Sequence, residues 1–193
     1  MAAIAKESLI IRNIPGFNNL RVVTGIDILN DFPKHIHNDC VVGIVTSGKR
    51  MMTVAGSCFS LTAGDIFIIN PREPHSLQSS EGEPHSYMVL IIPDDILRMV
   101  ASEIYGGGYE LHFNNCINQD SESARRFNEL FSVLNDPDSL LESGSALFSF
   151  LEFLVRYHSI CSFPANDKQS AGIVKIAEEY INQNFREQIT LED

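Results

Sequence analysis

Three histidines stand out from the rest of the 193-residue chain. His35 and His37 are separated by one residue, and His75 closes the segment Pro71-x-x-Pro74-His75. In an extended strand, residues i and i+2 share a face, so His35 and His37 are expected to point the same way. Three imidazoles at one mouth of a barrel can ligate Zn, Fe, Mn or Ni. They can equally bind a polar organic ligand, or hydrogen-bond to loops as structural groups. His85 and Tyr87 repeat the i, i+2 relation and are further candidates for the same pocket. No Ser/His/Asp arrangement, phosphate loop or paired-carboxylate site is evident.

The elements that carry these residues read as β. Between residues 8 and 92, short runs such as CVVGIVT, RMMTVA, GDIFIIN and HSYMVLII alternate with turn signals at Ser47-Gly48, Ala55-Gly56, Ala63-Gly64 and Pro71. That spacing predicts a sandwich or small barrel rather than βαβ units. Val41 to Val45 is apolar on both faces, which suits a jelly roll covered on its outside. Met51 and Met52 fall on opposite faces, and one is expected inside the barrel. The pairs Lys49-Arg50 and Arg125-Arg126 read as solvated surface. Residues 1–18 read as a first strand or as a mobile arm.

After Pro93 the period changes. Asp94-Asp95 opens a short helix, and ELHF at 110–113 is one more strand. Asp120 or Ser121 caps a helix whose Phe127, Leu130, Phe131 and Leu134 lie at i, i+3, i+4, i+7. A longer helix, about Ser139 to Ser159, confines its polar residues to a stripe of Ser145, Ser149, Glu152 and Arg156. So wide an apolar surface needs two partners. One is the barrel; the other is a second subunit, with a dimer seam through Leu147, Leu151 and Leu154, or an adjacent helix of the same chain. Ser162 to Gln169 is a linker by composition. An amphipathic helix with Ile173, Ile176, Ala177, Tyr180 and Ile181 follows. Thr190-x-x-Asp193 has the form of a helix start, so the native chain is expected to continue past Asp193.

Composition bounds the function. The net charge of −11 disfavours nucleic acid as a direct partner of these residues. Cys40, Cys58, Cys116 and Cys161 form no C-x-x-C pair, as expected of free thiols in a reducing cytoplasm. No apolar run is long enough to span a membrane, and no signal peptide is legible.

In this order, the parts resemble the AraC-type transcriptional regulators. His35 to His75 is similar to the family's sensor barrel, and Ile173 to Asp193 to the opening of its DNA-binding domain. The resemblance implies a mainly β chain with α: a cupin-like β-barrel (jelly roll) at 1–115, a helical dimerisation segment at 116–162, and a linker with the first helix of a helix-turn-helix domain at 163–193. It implies a small-molecule effector near His35, His37, His75, His85 and Tyr87, and a homodimer. DNA would be contacted only through helix-turn-helix units missing from this sequence. No cofactor and no catalytic residue are expected. The rival is a metal-dependent cupin enzyme, a dioxygenase or isomerase, with His35, His37 and His75 as ligands. Such enzymes add a Glu four or five residues after the second His, where this chain has Val41 and Val42. Aligned on His75, Asn70 replaces the Pro and Arg72 the Gly of the second cupin motif.

Overall fold

The computed structural model describes residues 7–17, 19–106, 110–135, 140–162, 179–181 and 183–184. The chain divides into two compact units, Met1–Ser162 and Phe163–Asp193. In the second, residues 179–181 and 183–184 are helical. The expectations for Ile173, Ile176, Ala177 and the stretch 189–193 lie outside the described residues.

The first unit is an open jelly roll of two facing sheets with three helices. Its strands are β1 (Ser8–Asn13), β2 (Arg21–Ile28), β3 (Phe32–His35), β4 (Cys40–Ser47), β5 (Lys49–Val54), β6 (Ser57–Thr62), β7 (Ile66–Ile69), β8 (His75–Ser79) and β9 (His85–Ile92). Then come α1 (Asp94–Tyr105), β10 (Glu110–Phe113), β11 (Ile117–Asn118), α2 (Ser121–Leu134), α3 (Leu140–His158) and β12 (Ser159–Ser162). The larger sheet runs β1-β2-β9-β4-β7-β11 and the smaller β3-β8-β5-β6; β10 pairs with β12. No described helix is long and apolar enough to cross a membrane.

The strands with two apolar faces separate two cores. Val22, Val42, Ile44, Ile68 and Leu90 point outward against α1, α2 and α3, joining Phe127, Phe131, Phe150 and Leu154. Their neighbours Val23, Val41, Phe67, Tyr87 and Val89 point inward, toward Met52, Val54, Leu61 and Leu77 of the smaller sheet. Period-two alternation thus explains why β4 is buried throughout its first six residues. Met52 is the inward methionine of its pair. Residues 8–13 form the edge strand β1, with Leu9, Ile10 and Ile11 exposed. Asp120 caps α2, its carboxylate accepting the Ser123 amide at 2.7 Å.

Three expectations need correction. Leu147, Leu151 and Leu154 are buried in the protomer's own core, so none is free to form a seam. The long helix does have two apolar partners, but α2 and α1 of its own protomer supply most of the cover. Second, Ser159 leaves the helix and begins β12, which pairs antiparallel with β10. Third, Arg50 is not solvated surface: it is 2% exposed. β5 alternates, so Arg50 shares the inward face with Met52 and Val54. The pair Arg125-Arg126 does lie at the surface, bound to Glu122 and Glu129.

Candidate functional site

The three histidines converge. His35 and His75 are direct partners across the β3–β8 ladder, with ring centroids 4.3 Å apart. β3 ends at His35, so His37 does not arrive on the strand face. It comes in on the following loop, whose carbonyl accepts the Arg72 amide at 2.8 Å. Its ring centroid lies 4.7 Å from that of His75 and 5.9 Å from that of His35. One donor atom from each ring lies within 4.8 Å of the others.

Each ring is oriented by its own backbone. His35 Nδ1 donates to Pro33 O at 2.7 Å, His37 Nδ1 to Asp39 O at 2.8 Å, and His75 Nδ1 to Glu73 O at 2.9 Å. A carbonyl can only accept, so all three protons sit on Nδ1. In the neutral ring Nε2 then carries a lone pair. Burial pushes the His75 imidazole toward its neutral form, and nearby His35 and His37 push the same way, against the Glu73 carbonyl. The turn before His75 is closed by Glu73, whose carboxylate accepts the Asn70 amide at 3.0 Å. Arg72 there adopts φ +60°, the left-handed region that favours glycine.

A cavity of about 170 Å³ runs inside the barrel, walled by Val23, Val41, Phe67, Ile69, Leu77 and Val89. His35, His37, His75, Phe32, Arg50 and Tyr87 also line it. Tyr87 is held by its ladder partner Gly25, where any Cβ would lie 2.6 Å from the ring. The Arg50 guanidinium sits 4.5 Å from the Tyr87 centroid and 5.0 Å from that of Phe32. Burial lowers its basicity. His85 does not line the cavity. It stacks on Tyr87, centroids 5.8 Å apart, and both its ring nitrogens are buried without a partner. Burial, with Arg50 nearby, lowers its pKa to about 4. His112 is exposed on β10. His158 contacts Ser123 Oγ at 3.1 Å at the α2 N-cap.

Arg50 is the residue that charge pairing with Lys49 concealed. Its signal was parity: Arg50, Met52 and Val54 share one face, and a charged residue in that series enters the core.

The donor set fits a three-imidazole cation site in part. One ring nitrogen of each histidine converges, but among the described residues no carboxylate joins them. Val41, one of the two residues at the expected carboxylate position, forms part of the cavity's apolar wall.

Residues 19–151 match the family described as the AraC-like ligand binding domain. The chain belongs to this family. It is also 25% identical over 166 residues to the uncharacterized HTH-type transcriptional regulator YbfI of Bacillus subtilis, covering 86% of this chain. It spans 60% of that relative's length. Among solved structures, an RmlC-like cupin family protein with a double-stranded β-helix fold from Methanocaldococcus jannaschii is 14% identical, covering 48% of this chain and 87% of its own, with a TM-score of 0.40. A double-stranded β-helix protein from Klebsiella pneumoniae is 21% identical, covering 48% and 82%, with a TM-score of 0.39. A deletion mutant of Bacillus subtilis oxalate decarboxylase OxdC is 18% identical, covering 46% and 28%, with a TM-score of 0.34. The chain is thus an AraC-type ligand-binding domain with a mainly β fold.

Proposed function

We propose that this domain binds a small organic effector inside the barrel, between the histidine mouth and Tyr87, and works as a non-enzymatic sensor in the cytoplasm. The observation that carries the reading is the largely apolar cavity with a few convergent polar groups, the usual make-up of a small-molecule site. Occupancy would bias the placement of helix-turn-helix units in the whole regulator, provided the ligand binds one arrangement better than the other. The chain would act as a homodimer through the side of α3 that the protomer leaves open. There Leu141 is 87% exposed, and Phe148 lies on the same groove. The test is ligand-induced thermal stabilisation by a metabolite collection, in parent and His37→Ala protein. A response that His37→Ala weakens supports the reading; a parent that responds to nothing sinks it.

A second reading has one specific observation in its favour. The three Nδ1 hydrogen bonds are the second-shell arrangement that orients metal-binding imidazoles. His35, His37 and His75 would then hold a divalent ion, which supplies Lewis-acid chemistry or anchors a ligand oxygen. Elemental analysis of untagged protein dialysed against zinc or nickel separates the two. Stoichiometric retention that is lost in His75→Ala favours the ion.

A further inference from the structure

Arg50 is a buried cation without an anion. Among the described residues no carboxylate lies within ion-pair distance of it. Its Nε has no hydrogen-bond partner at all. The carboxylate whose field reaches it, Asp31, is exposed and already accepts the Ser79 amide at 2.9 Å. Two aromatic rings flank the guanidinium and leave its charge uncancelled. Burying an unpaired charge is among the costliest arrangements a fold can hold. A guanidinium does not relieve that cost by losing its proton, and its fork of donors matches a carboxylate.

Position adds to chemistry. Along the β5–β8 ladder Arg50 pairs with Ser79, whereas Val54 pairs with His75. The arginine and the histidine mouth therefore stand at opposite ends of the cavity, about 13 Å apart along the strand at about 3.3 Å per residue. The cavity's roughly 170 Å³ is near the size of an apolar cavity that holds benzene, about 150 Å³.

We propose that the effector is a small organic acid, with its carboxylate on Arg50 and its apolar body against Phe32, Phe67 and Tyr87. This rests on the reading of the barrel as an effector site and names the chemical class of the ligand. The bound anion would neutralise the buried charge, so Arg50 would make ligand entry a stabilising event rather than a passive filling of space.

The test uses the whole chain and two matched pairs of probes, benzoate with benzamide and hexanoate with hexanamide, in buffer free of other carboxylates. The acids are expected to raise the thermal midpoint of the parent, and the amides to leave it unchanged. Arg50→Met should abolish the response to acids while melting higher than the parent without ligand, because the uncompensated charge is gone. Arg50→Lys, which keeps the charge without the fork, should weaken acid binding at least tenfold. Amides that stabilise as well as acids, or an Arg50→Met protein that still responds to acids, would overturn the assignment and leave the barrel a neutral-ligand sensor. An Arg50→Met protein that melts below the parent marks Arg50 as a structural residue and overturns it too. If no acid and no amide acts on the parent, the organic-acid class is wrong. Failure of the underlying effector reading is distinct: it requires that the full metabolite collection also leave the parent unmoved.

Discussion

Asn70 and Phe113 exchange two hydrogen bonds, one in each direction. The Asn70 amide donates to Phe113 O at 3.0 Å, and the Phe113 amide donates to Asn70 Oδ1 at 2.8 Å. The side chain thus imitates a strand neighbour and ties the end of β7 to β10. Both groups are buried. Asn70→Ala should cost about 2–4 kcal/mol of stability, because it leaves a buried amide and a buried carbonyl unpaired. Urea unfolding of parent and variant measures it. A loss under half a kcal/mol (about the usual effect of a surface substitution) would show that the pair is replaceable by water.

Acid should destabilise the domain through His85. Its pKa in the fold is lowered to about 4 from the ordinary 6.5. Between those values the unfolded chain binds the proton and the folded chain does not. Stability therefore falls as pH drops from about 6.5 toward about 4, by up to about 3 kcal/mol for a shift of this size, and the contribution is intact above that window. His85→Phe keeps the stack on Tyr87 and removes the proton site. Urea midpoints at several pH values should show a shallower slope for the variant. Equal slopes would assign the acid sensitivity to other groups.

Two leucines of α3 stand in opposite surroundings. Leu151 is fully buried, whereas Leu141 is 87% exposed. Leu151→Glu should unfold the domain, a cost of about 4 kcal/mol or more for a charge placed in a packed core. Leu141→Glu should leave the fold intact and turn a dimer into a monomer. Sedimentation with circular dichroism distinguishes these outcomes. A parent that is monomeric at tens of micromolar, roughly the range of a weak interface, would refute the seam.

The isolated chain should not bind a specific DNA site. Its net charge of −11 opposes the phosphate contacts that supply most duplex affinity. A gel shift at low salt against the gene's own upstream region tests this, and tight sequence-dependent binding would reverse the expectation.

Much of the fold was legible because it rests on period and punctuation. Apolar strands between turn residues announced the jelly roll, and Phe127, Leu130, Phe131 and Leu134 announced the buried face of α2. The histidine cluster was legible in part. The i, i+2 rule suggested that His35 and His37 would meet, yet β3 stops at His35 and a loop hydrogen bond delivers His37. What was illegible depended on packing between distant elements. Whether α3 buries Leu151 against its own protomer or a second one is not encoded in the helix's spacing. β12 was hidden because Ser159–Ser162 becomes a strand only by pairing with β10, nearly fifty residues earlier. Arg50 was misread because a charged residue was weighed by its neighbour rather than by its face.

The Nδ1 protons of the three histidines have one more effect. With those protons committed to backbone carbonyls, each ring in its neutral form has only an acceptor nitrogen left over, while Arg50 at the far end has only donors. The passage between them is vectorial. On the proposed reading, a molecule with a hydroxyl or amine at one end and a carboxylate at the other would fit with its carboxylate inward and be mismatched in reverse. The barrel would therefore discriminate not only by size and charge but by the order in which a ligand's functional groups follow one another.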